Sequence, residues 1–212
     1  DGPVSQATVE IWRRADDAMV EATLHTDLAP VDLALLERTW SPKRVALFNA
    51  LEKASVPRQD RPQSLHWDWG KKVPELKLLE ARGFGVLCEG DWQGAMMTKT
   101  ASSVSRLEAT RRKPIVYVDY LELAPWNWKV TPLKRQGRYG GLGTLLFLQA
   151  VIQSFDEGFG GRVGLHALPQ AETFYAGLGL KRVAHDDAKR LPYYELDSQA
   201  ANRLMQHDGG AP

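Results

Sequence analysis

Lys134-Arg135-Gln136-Gly137-Arg138-Tyr139-Gly140-Gly141-Leu142-Gly143-Thr144-Leu145-Leu146 reads as a loop that turns into a helix. Three glycines in four positions open backbone conformations closed to residues with a Cβ, so successive N–H groups can converge on one point. A helix starting near Leu142 adds its unpaired first-turn amides and the positive end of its dipole, and Lys134, Arg135 and Arg138 add full charges. The expectation is a cradle for a pyrophosphate, built on N–H groups from Arg138 to Thr144. Two better-known phosphate loops do not match. A Walker loop needs a lysine between Gly143 and Thr144, and a Rossmann turn needs a glycine where Leu146 stands.

The pattern that does match is Arg-x-x-Gly-x-Gly, filled by Arg138, Gly141 and Gly143, after a strand ending Leu121-Glu122-Leu123-Ala124-Pro125. It resembles the coenzyme A loop of the GCN5-related N-acetyltransferases (GNAT). About 30 residues on, Ala171-Glu172-Thr173-Phe174-Tyr175-Ala176-Gly177-Leu178-Gly179-Leu180 resembles that family's second signature, a short helix carrying Phe-Tyr and ending in Gly plus an apolar residue. The two motifs lie in the family's order and spacing and cover roughly Phe84 to Leu196. Two departures stand out. Twelve residues separate Pro125 from Arg138, where family members usually have two or three, and Leu168 stands where an asparagine is common. The insertion, Trp126 to Gly137, borders the expected cofactor entrance, and its role is open.

Composition sets wider bounds. With 212 residues the chain can bury a sizeable core. Its 27 basic and 26 acidic residues give a net charge of +1, so it carries no strong overall field for nucleic acid or anionic lipid. One cysteine, Cys88, excludes an intrachain disulfide and suits a reducing compartment. No apolar run approaches 18 residues and no signal peptide is evident, which leads to the expectation of a cytoplasmic protein with no membrane partner. The chain opens Asp1-Gly2-Pro3 without methionine, and a processed beginning is expected.

Taken in order, Val9, Trp12, Ala15, Met19 and Ala22 fall near helical spacing and predict an amphipathic helix from Val4 to about Leu24. A second helix is expected over Val31 to Arg38 and a third from Ser41-Pro42, burying Val45, Leu47 or Phe48, and Leu51. Pro57 to Gln63 reads as a loop. Leu65-His66-Trp67-Asp68-Trp69-Gly70-Lys71-Lys72 gathers two tryptophans and a histidine ahead of a short helix, Pro74 to Arg82; an aromatic knot or an acceptor-pocket wall both fit it. His66 and Asp68 are too few for a metal site, and no metal is expected.

A hairpin follows, Phe84 to Cys88 and Gln93 to Thr98 around Glu89-Gly90-Asp91-Trp92, then a charged loop and the strand Ile115 to Leu123. Leu145, Leu148, Ile152 and Phe155 carry a helix until Gly158 and Gly160. Strands at Arg162 to Ala167, Arg182 to Ala184 and Tyr193 to Leu196, and a closing helix capped by Ser198, complete the pattern. The fold class is α/β (α+β), a mixed sheet covered by helices. The resemblance makes it a mostly antiparallel GNAT-like sheet in one domain over 1–212, with a mainly helical 1–82 on the acceptor side, an acetyl-CoA-binding core at 83–197 and a helix and tail at 198–212. It also implies that strands 115–124 and 162–167 splay apart to admit the pantetheine arm.

What the resemblance implies chemically is acetyl transfer from acetyl-CoA to an amine by direct attack in a ternary complex. Arg138, Tyr139, Gly140, Gly141, Leu142, Gly143 and Thr144 would hold the cofactor's phosphates. A backbone N–H in the Leu121-Glu122-Leu123 region would polarise the thioester carbonyl. Tyr175 occupies the family's general-acid position. For the base, Asp119 and Glu122 sit three apart on one strand, so in a regular strand only one of them faces the cleft. Glu122, nearest the expected bulge, is preferred, and His166 competes, since an imidazole titrates near neutrality. The acceptor is a small-molecule or peptide amine. Two rivals stay open: an acyl-CoA-binding module without turnover, and an enzyme acetylating aminoacyl-tRNA, against which the near-neutral charge argues. A homodimer is also open.

Overall fold

The computed structural model describes residues 5–101, 103–183 and 190–208. In chain order the elements are strands β1 (Gln6–Arg13) and β2 (Ala18–His25), helix α1 (Pro30–Lys53), the short helix α2 (Val73–Leu76), strands β3 (Ala81–Cys88), β4 (Asp91–Lys99), β5 (Val116–Leu123) and β6 (Tyr139–Gly140), helix α3 (Leu142–Asp156), strand β7 (Val163–His166), helix α4 (Glu172–Gly177), strands β8 (Lys181–Val183) and β9 (Tyr193–Leu196), and helix α5 (Ser198–Asp208). The chain divides into two compact units: Asp1–Met96 with Leu121–Leu146, and Met97–Tyr120 with Phe147–Pro212. β4, β5 and α3 each begin in one unit and end in the other.

The first unit carries strands in the order β6-β1-β2-β3-β4-β5. Its opening corrects the sequence reading, because residues 6–25 form an antiparallel hairpin and not a helix, so 1–82 is not mainly helical; Val4 lies outside the described residues. The period that governs this stretch is two. Ile11, Ala22 and Leu24 are buried, while Trp12 and Met19, which fall on the expected helical stripe, face outward opposite each other. β-branched and aromatic residues favour the pleated surface, and Asp17 closes the turn in the left-handed region at φ 52°, its carboxylate accepting from the Trp12 indole at 2.8 Å.

α1 corrects a second expectation. It runs unbroken through Pro42, where two helices were expected. An interior proline costs about 3 kcal/mol. Burying Leu33, Leu36, Trp40, Leu47 and Leu51 returns roughly 1.5–3 kcal/mol each, which outweighs it. Leu47 and Leu51 are buried as expected, but Val45 and Phe48 are 57% and 46% exposed, and Arg44 takes a place on the buried stripe. The helix expected over Pro74 to Arg82 is only the one turn of α2, since Ala81 already opens β3. β3 and β4 form the expected hairpin, its turn made by Glu89 (φ 52°) and Gly90 (φ 82°), two left-handed residues that match the twist of the strands.

The second unit orders β4-β5-β7-β9-β8, with β5 and β7 parallel and the β7–β9 and β8–β9 pairs antiparallel. The sheet pairing is therefore mixed and mostly antiparallel, flanked by helices. The strand expected at Arg182 to Ala184 is β8, Lys181–Val183, and Ala184 lies outside the described residues. Glu195 is fully buried and collects the Ser105 hydroxyl, the Arg106 amide at 2.8 Å and the Tyr193 hydroxyl at 3.1 Å, which pins the charged loop after β4 to β9. Among the described residues no helix is long and apolar enough to cross a membrane.

Candidate active site

The cradle is shorter than the sequence suggests. Arg138 N donates to Trp126 O at 3.1 Å, Tyr139 N to Asn127 Oδ1 at 3.1 Å, and Gly140 lies opposite Trp12 in the β1–β6 pairing. These three residues are engaged by the chain itself. A Cβ on Gly140 would stand 2.6 Å from the Trp12 ring, so its glycine serves β1 and not an anion. Tyr139 is buried, its hydroxyl donating to Glu89 at 2.8 Å. What stays open is Gly141 to Thr144. Gly141 has φ 77°, and a Cβ there would meet nothing within 4 Å. The first intrahelical bond of α3 runs from Leu145 N to Gly141 O, so the amides of Leu142, Gly143 and Thr144 precede the helix's own ladder and carry its positive dipole end. Arg138 is exposed beside them, with its guanidinium over the Trp126 ring.

The Trp126 to Gly137 insertion explains the narrowing, because it is fastened to β4. Asn127, buried, donates to both the backbone and side-chain oxygens of Gln93 at 3.0 and 3.1 Å; Trp126 Nε1 donates to Gln93 Oε1 at 2.8 Å. Gln93 is itself fully buried and held by donating to Cys88 O and Asp91 O. A Cβ at Gly137 would lie 2.3 Å from Asn127 O, which is why glycine stands there. At the end of β5, Trp128 Nε1 donates to Leu123 O at 2.8 Å, and Ala124 N to Gln93 O at 3.0 Å. Leu121 and Leu123 are half-buried, and the insertion thus braces both the strand end and the cradle.

Glu122 lies in the same unit, with 1% of its side chain exposed. Its Oε2 accepts from Trp69 Nε1 at 2.6 Å and from Arg44 Nη2 at 3.1 Å, and Oε1 has no partner. Arg44 Nη1 spans both oxygens of Glu37 at 2.7 and 3.0 Å, and Glu37 also takes the Trp69 amide at 2.8 Å. Burial pushes the Glu122 carboxyl above its ordinary range, against the pull of Arg44 and Trp69. Lys72, buried, stacks over Trp67 and Trp69. The Leu65–Lys72 stretch is therefore tied to the carboxylate through Trp69. Arg44 and Glu37 are not residues that the sequence alone singles out, and Trp69 stands out only within its aromatic stretch, with no link to Glu122. Arg44 is legible only if α1 is read through Pro42, where it falls on the buried stripe.

The other residues named from the sequence lie in the second unit. Asp119 pairs with Lys99 at 2.7 Å. His166 Nδ1 meets the Tyr117 hydroxyl at 2.7 Å, and its ring leans on Tyr193. Tyr175 is 7% exposed, its ring packed edge-on to Phe147 and Phe174, and burial raises its hydroxyl well above the ordinary phenol value. Among the described residues no group of three or more His, Cys, Asp or Glu could hold a metal ion.

Neither a known family model nor a curated protein sequence matches this chain. Solved structures do. One assigned to the acetyltransferases of the GNAT family, from Desulfovibrio desulfuricans, aligns over 84% of this chain and 99% of its own at 13% identity and a TM-score of 0.54. The fold is that of the GCN5-related N-acetyltransferases. Within that fold, an acetyltransferase from Thermus thermophilus aligns over 82% of this chain and 96% of its own (21% identity, TM-score 0.47). The PaiA N-acetyltransferase of Thermoplasma acidophilum, solved with coenzyme A, aligns over 83% and 98% (12% identity, TM-score 0.49). At 13% identity the Desulfovibrio likeness shows the fold and nothing finer.

Proposed function

We propose that the protein is an acetyl-CoA-dependent N-acetyltransferase acting on an amine. The observation that carries this reading is the open amide set of Gly141 to Thr144, at the head of α3 in the same unit as the end of β5 and the buried carboxylate of Glu122. Convergent amides at a helix start favour a pyrophosphate, with Arg138 adding charge at the rim. Acetyl-CoA supplies the activated acyl group. A backbone N–H in the Leu121–Leu123 stretch is assigned to polarise its carbonyl, and Glu122 to take the proton of the attacking amine. Asp119 is a weaker candidate, because Lys99 holds its carboxylate.

Calorimetry with acetyl-CoA tests the cradle. Valine at position 141 would be strained by φ 77° whatever the ligand, so the informative change is Gly141→Asn, since asparagine tolerates the left-handed region. A Cβ there meets nothing within 4 Å in the protein alone, so the added side chain is placed to obstruct an incoming group. Acetyl-CoA affinity should fall by at least about tenfold, roughly 1.4 kcal/mol, with the melting temperature nearly unchanged. Unchanged affinity in the folded variant removes the cradle assignment. Tight binding without turnover on any primary amine would favour the module without activity.

Tyr175 is assigned to protonate the departing thiolate; its burial keeps the phenol neutral, although the same upward shift makes it a weaker acid. Tyr175→Phe keeps the ring against Phe147 and Phe174 and removes the proton. It should lower kcat by about 10- to 1000-fold, toward the small end if water substitutes, with acetyl-CoA affinity unchanged. Full kcat in the phenylalanine variant, with the chemical step shown to limit the rate, makes Tyr175 a core residue.

A further inference from the structure

The aromatic stretch before α2 reaches the buried carboxylate through the Trp69 indole. Trp69 is fully buried and lies edge-on to Trp40, 6.4 Å between ring centroids, which by itself describes packing. Packing does not require its N–H to point at a carboxylate. Yet its 2.6 Å bond to Glu122 is shorter than the 3.1 Å bond from Arg44, and both end on the same oxygen. An arginine fork ordinarily meets both oxygens of a carboxylate. Here it does not: Nη2 of Arg44 joins Trp69 on Oε2, while Arg44 Nε and Glu122 Oε1 are both buried without partners. The fork is turned instead toward Glu37, which takes Nη1 on both oxygens and the Trp69 amide besides.

We infer that Trp69 is a positioning residue for the acceptor's base: with Arg44 it anchors Glu122 by Oε2 alone and keeps Oε1 bare of donors, as the oxygen that receives the amine's proton. This rests on the reading of Glu122 as the base. Two donors on Oε2 restrain the carboxylate's rotation, and Oε1 makes no hydrogen bond of its own. The groups bonded to the carboxylate are Arg44 from α1, and Trp69 and the Ser64 hydroxyl from the segment before α2; Glu37 shares Arg44, and Lys72 lies over the Trp69 ring. Trp69 and Arg44 favour the charged form; burial opposes them.

The test reads the carboxylate directly. Protein labelled with ¹³C at glutamate side-chain carboxyls is titrated by NMR, and Glu122→Gln identifies the Glu122 resonance by its loss. Trp69→Phe removes the indole donor; if that variant does not fold, a benzothiophene analogue of the Trp69 indole keeps the ring's shape and loses only the N–H. A bond to a charged acceptor corresponds to a rise of about one to two pH units in the Glu122 midpoint. A midpoint unmoved in the folded variant overturns the inference and leaves Trp69 as packing. Turnover plays no part in this readout. The pH profile of Glu122→Gln decides separately whether Glu122 is the base, so either statement can fail while the other stands.

Discussion

Arg44→Met lowers the stability of the fold by about 3–5 kcal/mol, a large share of the roughly 5–15 kcal/mol that a protein of this kind possesses. The guanidinium is 4% exposed and stands between two carboxylates, Glu37 and Glu122. Methionine fills much of its volume, so the loss is electrostatic rather than a cavity. Taking the cation away leaves Glu122 buried with only neutral donors, the Trp69 indole and the Ser64 hydroxyl, to balance it, and the carboxyl must then take up a proton on folding. At about 2–4 °C per kcal/mol for a chain of this size, the melting temperature should drop by roughly 6–20 °C. The pH dependence has a definite sign. Burial already raises the folded-state pKa of Glu122 above its unfolded value near 4.3, so folding binds a proton and stability falls as pH rises from about 4.3 through the raised pKa. In the methionine variant that window extends further upward, so the deficit grows with pH until Glu122 is ionised. Adding Glu122→Gln to Arg44→Met should restore part of the loss, because the more deeply buried of the two uncompensated carboxylates is gone and Glu37 is the more exposed. Thermal melts of the four proteins at pH 5 and pH 8 check this; equal deficits at both pH values and simple additivity would contradict it.

The fold was legible where one period dominates. β5 and the β3–β4 hairpin announce themselves by β-branched and aromatic runs around a turn at Glu89-Gly90, and α3 by a helix start after three glycines. The N-terminal hairpin was not, because Val9, Trp12, Met19 and Ala22 satisfy a 3.6-residue period as well as Ile11, Ala22 and Leu24 satisfy a period of two. The deciding information is the four-residue turn at Arg14–Asp17, whose left-handed Asp17 is a weaker signal than a glycine. Pro42 misled in the opposite direction. A proline after a serine is a good helix start, yet the buried stripe on both sides of it holds α1 together. Local chemistry gave way to packing in both cases.

The site divides in the same manner. The glycine loop and its helix are sequence-local and legible as such, but the pairing of Tyr139-Gly140 with β1 depends on a hairpin more than a hundred residues away in the chain. That pairing engages Gly140, while the insertion takes the amides of Arg138 and Tyr139 that a purely local reading gives to the cradle. The partners of Glu122 come from α1 and from the 65–72 stretch, and no spacing rule connects those segments to a strand at 116–123. Gln93 and Asn127, two buried amides that fasten the insertion, have no signature at all until the fold brings them together.

Glu122→Gln should lower kcat/KM for an amine acceptor by about 10²–10⁴ near neutral pH, the range a positioned general base supplies. Glutamine keeps the side chain's shape and an oxygen for the Trp69 indole, and Arg44 retains its two bonds to Glu37, so the fold should survive the change. The deficit cannot be constant across pH. An alkylamine is neutral only near and above its own pKa, about 10.4 for a lysine-like amine, and below that value a base must remove the proton before or during attack. As pH climbs toward the amine's pKa the neutral form becomes abundant, and the variant should recover part of the wild-type rate. In the wild type, activity should rise through the elevated Glu122 pKa, and that limb should vanish from the glutamine variant. The measurement is kcat/KM against pH for both proteins on one acceptor, with acetyl-CoA saturating. A ratio that stays flat from acid to alkaline pH, with the limb intact in the variant, takes the proton from Glu122 and hands the search to His166, whose Nδ1 meets the Tyr117 hydroxyl, or to Asp119 beside Lys99.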